Sequence, residues 1–254
     1  MGEYINVDGV RTYFEDKGEG TPIVLLHGGL GSVESWFAQV PALAARYHVY
    51  IPERRGHGRT PDVAGPITFE LMAADTAAFI ECLGIGPAHI VGWSDGAIVG
   101  ALVALRRPEL VRKLVLIGQN FTPEGEDPHA RELLDAWEAA PPPFLHEVYD
   151  EVSPDGAEHF PVVLEKLMHA WRTGINFPLS ELADIHASTL VMQGDHDIVR
   201  VEHSAAVMAA LPNAQLAVVP DATHGLPLEK PEIVNRLILD FLADEQTGHL
   251  RLPL

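Results

Sequence analysis

A serine between two glycines stands where a predicted strand gives way to a predicted helix. The segment Gly92-Trp93-Ser94-Asp95-Gly96 follows an aliphatic run at residues 88–91 and precedes a helical pattern at residues 97–107. In this G-x-S-x-G arrangement the serine occupies a sharp strand-to-helix turn, and the glycines let the two backbones pass closely. Amides at the start of the helix can then face developing negative charge. The pattern predicts that Ser94 is a nucleophile; the alternative is a plain glycine-bounded turn.

A serine nucleophile needs partners. Its hydroxyl reacts poorly until a base within hydrogen-bond reach takes its proton, and a carboxylate can hold that base in the correct tautomer. The chain has 13 histidines and 36 acidic residues, so composition alone selects neither partner. Asp195, His196, Asp197 and His203 could also suggest a metal site. Their spacing matches no ligand template, so we expect no metal and no other cofactor.

The elements around Ser94 alternate between strands and helices. Asp8-Gly9 predicts a two-residue turn between strands at residues 4–7 and 10–14. Further strands are predicted at 22–26, 48–51, 88–91 and 113–117, with helices between them at 35–45, 69–83 and 97–107. This order predicts an α/β fold with a doubly wound, mostly parallel sheet and right-handed crossovers.

The alternation stops between residues 121 and 185. This stretch contains helical patterns at 129–139, 144–152 and 158–171 and no buried-strand run. Strands at 189–192 and 216–219 then alternate with helices at 202–211 and 231–242. We therefore predict an α/β core of residues 1–120 and 186–246, a helical cap of residues 121–185 inserted after the sixth strand, and a tail at 247–254.

The acidic composition restricts the partners. The chain has 254 residues and a formal net charge of -19, which argues against binding to a nucleic acid backbone. No apolar stretch approaches ~18 residues and no secretion signal is visible, so we expect a cytoplasmic enzyme that does not bind a membrane. The single cysteine, Cys82, excludes an intrachain disulfide and is expected to be a buried thiol. The oligomeric state stays open.

Over residues 5–242 the chain resembles the α/β-hydrolases. In addition to the segment around Ser94, His27-Gly28-Gly29 is similar to the family's His-Gly motif. Residues 52–60, Pro-Glu-Arg-Arg-Gly-His-Gly-Arg-Thr, resemble its P-D-x-R-G-x-G-x-S loop. Glu53 replaces the usual Asp and Thr60 the usual Ser, and we expect both changes to concern loop structure rather than chemistry. His27 and His57 are likewise expected to be structural.

The resemblance implies the remaining catalytic roles. The family's G-x-x-D pattern falls on Asp197 and not on Asp195, and the family's base falls on His224. The other place for a family acid, after the strand that ends at Ile117, holds no carboxylate. Ser94 would then attack, His224 would take and return its proton, and Asp197 would orient the imidazole. Oxyanion-hole amides are expected from Gly29, with Leu30 as a near alternative, and from Asp95.

The family implies a reaction class more firmly than a substrate. Ser94 disfavours the haloalkane dehalogenases and epoxide hydrolases of this fold, which use Asp. Hydrolysis of a small carboxylic ester through an acyl-enzyme on Ser94 is the leading expectation, with lactones and amino-acid esters included. C–C bond hydrolysis and cofactor-free perhydrolysis use the same triad, and a non-catalytic ligand receptor is the alternative from another class.

Asp95 is the unusual residue of the predicted site. Gly-Trp-Ser-Asp-Gly resembles the valacyclovir-hydrolase-like branch, in which a carboxylate near the nucleophile can receive the amino group of an amino-acid ester. Alternatively, Asp95 simply favours the N-terminus of its helix. The cap aromatics could line a pocket or form the cap's own core. The expected substrate contacts are Leu30, Trp93, Asp95, Phe121, Phe144 and Trp171.

Overall fold

One eight-stranded sheet forms the centre of the computed structural model, which describes residues 2–243. The strands are β1 (Glu3–Val7), β2 (Val10–Lys17), β3 (Pro22–Leu26), β4 (His48–Pro52), β5 (Ala88–Trp93), β6 (Val111–Ile117), β7 (Ser188–Gly194) and β8 (Ala214–Val219). Their spatial order is β1-β2-β4-β3-β5-β6-β7-β8. The pairs β1–β2 and β2–β4 are antiparallel and all other pairs are parallel, which confirms the predicted mostly parallel sheet.

Helices cover both faces of this sheet because its central strands are apolar on both sides. On β3, Ile23 and Leu25 belong to one buried cluster, whereas Val24 and Leu26 belong to the other. Successive side chains of a strand point to opposite faces, so a strand buried on both faces contributes to two cores. The helices are α1 (Val40–Leu43), α2 (Phe69–Leu83), α3 (Asp95–Arg106), α4 (Pro128–Ala139), α5 (Pro143–Val152), α6 (Phe160–Thr173), α7 (Val201–Ala210), α8 (Leu226–Glu229) and α9 (Pro231–Leu242).

The predicted continuous helix at residues 35–45 is wrong. The structure has a 3₁₀ turn at Val33–Trp36 and then the four-residue helix α1. Pro41 explains the break, because proline has no N–H to donate and its ring clashes with the carbonyl four residues earlier. In α1 the proline lies in the first turn, where it is tolerated.

The prediction that Cys82 is buried is also wrong, since this cysteine is exposed. The buried stripe of α2 recurs at spacings of three and four residues, and its continuation falls on the half-buried Leu83. Its buried residues are Phe69, Met72, Ala73, Thr76, Ala77, Phe79 and Ile80. Cys82 follows in the last turn of α2, between the exposed Glu81 and the half-buried Leu83, where this burial ends.

Three helices, α4 to α6, lie between β6 and β7 and form the predicted cap. The main buried face of the cap belongs to α6, whose side chains Phe160, Val163, Leu164, Leu167 and Met168 are buried. Among residues 2–243, no helix has the length and apolar character needed to cross a bilayer. The predicted tail at 247–254 lies outside the described residues.

A buried aspartate joins the cap to the loop that follows β4. Lys166 of α6 donates to the Asp62 Oδ2 atom at 2.6 Å and to the Val63 carbonyl at 2.9 Å. The Nε2 atom of His159 lies 2.9 Å from the same carboxylate oxygen. The Asp62 side chain is only 6% exposed. Burial opposes ionisation of Asp62, but the bonds from Lys166 and His159 outweigh it and hold the pKa of this carboxyl below its ordinary value.

We expect Lys166→Met to lower the free energy of unfolding at pH 7 by about 1–3 kcal/mol, because it leaves a buried carboxylate without its main donor. A carboxyl whose pKa is lowered in the folded state stabilises the fold above its unfolded pKa of about 3.9 and loses that effect as pH falls through its folded value. The difference between the variant and the wild type should therefore be constant above about pH 5 and shrink below about pH 4. Denaturant unfolding across this pH range measures it.

Lys230→Met provides the control. Lys230 pairs with Asp221 at 2.8 Å, but that aspartate is 93% exposed. Exposed ion pairs contribute little, so this change should cost less than about 0.5 kcal/mol. Equal losses in the two lysine variants would contradict a specific role for the Asp62 contact.

Candidate active site

Ser94 occupies a strained turn between β5 and α3. Its backbone has φ 56° and ψ -120°, in the left-handed range of φ that residues other than glycine rarely adopt. Such a conformation costs about 1–3 kcal/mol and persists only when the surroundings enforce it. The Ser94 amide donates to the Ile117 carbonyl of β6 at 2.8 Å, and the Ser94 carbonyl accepts from the Ala97 amide at 2.8 Å. The turn is therefore held from both sides.

The glycines on either side of this turn are required by close packing of the backbone. A Cβ atom on Gly92 would collide with the Gly96 carbonyl, and one on Gly96 would collide with the Leu26 carbonyl of β3. The strand before the serine and the helix after it thus pass within contact distance. This is the steric role predicted for the two glycines.

A continuous line of hydrogen bonds connects Ser94 to a carboxylate. The Nε2 atom of His224 lies 2.9 Å from the Ser94 Oγ atom, and its Nδ1 atom lies 2.7 Å from the Asp197 Oδ1 atom. The Asp197 side chain is only 1% exposed, and its Oδ1 atom also accepts from the Val199 amide at 3.1 Å. Asp195 instead accepts from the Ala222 amide at 3.2 Å. The structure therefore brings Asp197, and not Asp195, to the imidazole.

The backbone of His224 is held by a hydrogen bond from Trp93. The Trp93 indole N–H donates to the His224 carbonyl at 2.9 Å, and the Trp93 ring packs against Trp36 with centroids 6.4 Å apart. Trp93 was predicted to contact substrate, but its polar atom is bonded to the loop that carries the histidine. The Thr223 side chain and amide add bonds to Glu229 at 2.6 and 2.7 Å.

The loop after β3 lies against the serine. A Cβ atom on Gly28 would lie 3.3 Å from the Ser94 Cβ atom, so this backbone borders the nucleophile directly. Leu30 has a φ of 56°, which turns the chain sharply just after Gly29. Asp95 is the first residue of α3, and amides in the first turn of a helix have no partner within the helix. Donors from both segments can thus face one point beside Ser94.

A family model described as the alpha/beta hydrolase family matches residues 23–237. The chain belongs to this family. The match includes the loop after β3, the turn at Ser94, and both Asp197 and His224. The chain is therefore a member of a hydrolase family.

Relatives of this hydrolase differ in the reactions their names state. The "Putative carbamate hydrolase RutD" of Azorhizobium caulinodans is 30% identical, with 91% of this chain and 95% of the relative covered. The "Putative non-heme bromoperoxidase BpoC" of Mycobacterium tuberculosis is 33% identical, with coverage of 92% and 98%. The meta-cleavage product hydrolase CumD of Pseudomonas fluorescens is similar in structure, with a TM-score of 0.80, 25% identity and coverage of 94% and 97%.

The carboxylate of Asp95 is buried in the hydrolase and bound by the cap. Its side chain oxygens both accept from the Trp171 indole N–H, at 3.1 and 2.9 Å, and the residue is only 4% exposed. Burial raises the pKa of this carboxyl, whereas the Arg54 charge, the bond from Trp171 and the charge of His224 act in the opposite direction. Asp95 therefore has protein partners of its own.

Arg54 is a site residue that the sequence analysis missed. Its guanidinium is buried and donates to the carbonyls of His27 and Gly28 at 2.6 and 3.0 Å. Burial lowers the pKa of Arg54 to about 10, against the opposing charge of Asp95. A buried cation thus holds the backbone of residues 27–29 after β3, which we call the glycine loop. The sequence feature that could have indicated Arg54 is its position next to Arg55, at a variable position of the motif that residues 52–60 resemble.

The two histidines near this arginine, His27 and His57, are buried and bonded to neighbouring backbone. The His27 Nδ1 atom lies 2.7 Å from the Gly28 carbonyl, and its Nε2 atom accepts from the Arg54 amide at 3.3 Å. Burial and the Arg54 charge lower the pKa of His27 well below its ordinary range. The same two causes lower the pKa of His57 to about 3, so both rings are neutral at pH 7.

The two replacements in the 52–60 loop also have structural contacts. Glu53 accepts from the Val33 amide at 3.1 Å and from the Arg59 guanidinium at 2.8 Å. The Thr60 hydroxyl donates to the Glu53 carbonyl at 2.8 Å and accepts from the Tyr13 amide at 2.9 Å. These bonds hold the loop together, in agreement with the expected loop role.

Gly118 is a second residue at the site that the sequence patterns did not indicate. It follows β6 with a φ of 60°, and a Cβ atom there would lie 3.0 Å from the His224 ring and 3.2 Å from the Asp197 Oδ2 atom. Any side chain would press on the contact between the imidazole and its acid. The sequence feature that could have indicated Gly118 is its place directly after β6, the strand that pairs with β5 and so lies beside the Ser94 turn.

The predicted aromatic contacts divide into two groups. Phe121 is buried and packs against Phe177 and His203, while Trp171 reaches Asp95. Phe144 departs from the prediction because it is 57% exposed. It lies one helical turn from Val148, which is 45% exposed, so both face outward from α5. Tyr149 lies on the opposite, buried side of that helix.

We expect Asp197→Asn to lower kcat for an activated ester by about 10⁴-fold, because an amide favours the wrong imidazole tautomer. Asp195→Asn is the matched control and should cost far less, since Asp195 accepts from the Ala222 amide and not from the imidazole. Steady-state kinetics of both variants, with circular dichroism to verify folding, provides the measurement. A larger loss in Asp195→Asn would mean that the observed contact with His224 is not the working one.

Proposed function

We propose that this hydrolase cleaves small carboxylic esters through an acyl-enzyme on Ser94. The observation that carries the proposal is the unbroken line from the Ser94 Oγ atom through His224 to Asp197, at 2.9 and 2.7 Å. A serine becomes a competent nucleophile when a base lies within hydrogen-bond reach and a third group orients that base. Both conditions hold at this turn.

In the first half-reaction, the Ser94 oxygen attacks the ester carbonyl carbon while the His224 Nε2 atom takes the hydroxyl proton. Asp197 stabilises the resulting imidazolium. The carbonyl electrons return as the bond to the alcohol oxygen breaks, and His224 gives its proton to that oxygen. The alcohol leaves, and the acyl group stays on Ser94.

In the second half-reaction, water takes the place of the serine hydroxyl. His224 removes a proton from the water, which attacks the acyl carbon, and Ser94 departs with that proton. The products are the carboxylic acid and the free enzyme. The same residues therefore serve both steps, and the balance requires nothing beyond ester and water.

The negative charge of each tetrahedral intermediate needs donors beside Ser94. We assign the backbone amides of Asp95 and Gly29 to this role, with Leu30 as the neighbouring alternative. A donor of this kind is worth about 3 kcal/mol in the transition state. Support comes from the free first-turn position of Asp95 and from the contact between Gly28 and Ser94.

The surroundings of Asp95 favour an uncharged ester over an amino-acid ester. A substrate ammonium would have to replace the Trp171 indole at the carboxylate, where both oxygens already accept. The nearby buried Arg54 also compensates part of the negative charge. A receptor for cations would not need this compensation.

The names of the relatives define the competing reactions. The similarity to CumD supports C–C bond hydrolysis as an alternative, and the similarity to BpoC supports cofactor-free perhydrolysis. The similarity to RutD adds carbamates to the carbonyl substrates worth testing. All of these reactions begin with the same polarised carbonyl, so the triad alone does not separate them.

A substrate panel tests the proposal. It contains p-nitrophenyl esters of increasing acyl length, α-amino esters, a vinylogous diketone, a carbamate, and acetate with peroxide. We expect the short simple esters to have the highest kcat/KM. Ser94→Ala should abolish this turnover by up to about 10⁶-fold while leaving the fold intact.

Two results would contradict the proposal. Ester turnover by Ser94→Ala above about a thousandth of the wild-type rate would exclude Ser94 as the nucleophile. Absence of turnover on every member of the panel, together with tight binding of one of them, would favour the non-catalytic receptor.

A further inference from the structure

One side chain of the cap reaches the turn that holds the nucleophile. Trp171 lies near the end of α6, and its indole N–H donates to both carboxylate oxygens of Asp95, the residue directly after Ser94. These residues are 76 positions apart in sequence. The contact therefore joins the cap to the catalytic turn.

The same indole covers the glycine loop. A Cβ atom on Gly29 would collide with the Trp171 Cζ2 atom and would lie 3.1 Å from its Cε2 atom and 2.7 Å from the Asp95 Oδ2 atom. Even one methyl group has no room there. The edge of the indole thus packs directly on the backbone assigned to the oxyanion hole.

Several contacts keep the indole in this position. Asp95 is buried, so moving the indole away would leave a buried carboxylate without its donor, which is unfavourable. The neighbouring Arg172 pairs with Asp135 and Glu138 of α4 at 2.7 and 2.6 Å and fastens the end of α6. The indole is therefore a fixed wall and not a freely rotating side chain.

The chemistry decides which part of the substrate meets this wall. The leaving oxygen must face the His224 Nε2 atom, because His224 protonates it. The carbonyl oxygen must face the amides of Gly29 and Asp95. The acyl chain takes the remaining direction, away from both His224 and the amides, and Trp171 is a cap side chain that borders both amide-bearing residues.

We infer that Trp171 determines acyl specificity by limiting the site to short acyl chains, and that the Asp95 side chain is a positioning residue for its indole. This inference rests on the proposed function and goes beyond it by assigning the residue that sets chain length. It also gives Asp95 a role different from the reception of a substrate amine.

The first experiment measures kcat/KM for p-nitrophenyl acetate, butyrate and octanoate. Trp171→Ala should raise the octanoate-to-acetate ratio by about 10-fold or more, since each methylene admitted to an apolar pocket changes discrimination by a comparable factor. Trp171→Phe keeps most of the bulk, loses the indole N–H, and should raise the ratio by only about 3-fold. The phenylalanine variant keeps the test valid if the alanine variant does not fold.

Trp137→Ala is the matched control. Trp137 is a half-buried tryptophan on the cap helix α4, so its loss tests whether any weakening of the cap has the same effect. The ratio should stay within about 2-fold of the wild type, the level expected for a change outside a pocket. An equal rise in Trp137→Ala would overturn the inference by showing that any weakening of the cap relaxes specificity.

The Asp95 variants test the positioning role. Asp95→Asn keeps an oxygen that can accept from the indole, so its ratio should remain near that of the wild type. Asp95→Ala removes the acceptor and should shift the ratio in the same direction as Trp171→Ala. Because Asp95→Ala and Trp171→Ala act through one contact, the double variant should raise the octanoate-to-acetate ratio no further than Trp171→Ala alone.

Three kinetic results would overturn the inference. The first is an equal fall for all chain lengths in Trp171→Ala, which would indicate a purely structural role. The second is a shift that follows the size of the alcohol and not that of the acyl chain. The third is a selective loss of α-amino esters in Asp95→Asn, which would make Asp95 an amine receptor.

A labelling experiment separates this inference from the proposed function. Alkyl fluorophosphonates modify an activated serine without any need for ester turnover, and their alkyl group occupies the acyl side. Mass spectrometry should show slow labelling of Ser94 by the octyl reagent in the wild type and faster labelling, by about 10-fold, in Trp171→Ala. If no ester is turned over but this difference appears, the proposed function fails and the steric inference stands. Equal labelling rates would overturn the inference alone.

Discussion

The fold depends on three backbone segments that pass one another at the Ser94 turn with no room for a side chain. Gly92 borders the Gly96 carbonyl, and Gly96 borders the Leu26 carbonyl of β3. Leu26 and Gly92 are also register partners in the parallel pair β3–β5. The centre of the sheet is buried on both faces and therefore holds the strained serine in place. The close packing of these strands offsets the local strain, which costs about 1–3 kcal/mol.

Two buried ionisable groups lie next to this turn, and their hydrogen-bond partners are of different kinds. Arg54 donates to the His27 and Gly28 carbonyls of the glycine loop, and Asp95 accepts from the Trp171 indole. Burying an ionisable group is costly unless its hydrogen bonds are satisfied, and within residues 2–243 the Arg54 Nε and Nη1 atoms have no such partner. These contacts fix the backbone to which we assign the oxyanion hole before any substrate binds, and preorganised donors are the main source of stabilisation for a developing oxyanion.

Sequence patterns correctly predicted those features of the fold that depend on residues close together in the chain. The buried strands, the cap between β6 and β7, and the glycine-flanked serine all depend on local spacing, and the structure has each of them. The failures have local causes too: Pro41 breaks a helix, and Cys82 lies in the last turn of α2, where the burial of that helix ends. The contact between Trp171 and Asp95 was beyond reach, because no local pattern pairs a cap tryptophan with a carboxylate 76 residues away.

The cap is polar where it is fastened and apolar where it packs. Its charged contact to Asp62 lies on the loop after β4, its indole contact lies at Ser94, and the face of α6 between Phe160 and Ala170 is apolar. Apolar packing tolerates exchange of side chains of similar volume, whereas directed polar contacts fix orientation. The two kinds of contact therefore leave the lining of a cap free to change while its position over the sheet is kept, and a fold of this kind does not by itself determine the substrate.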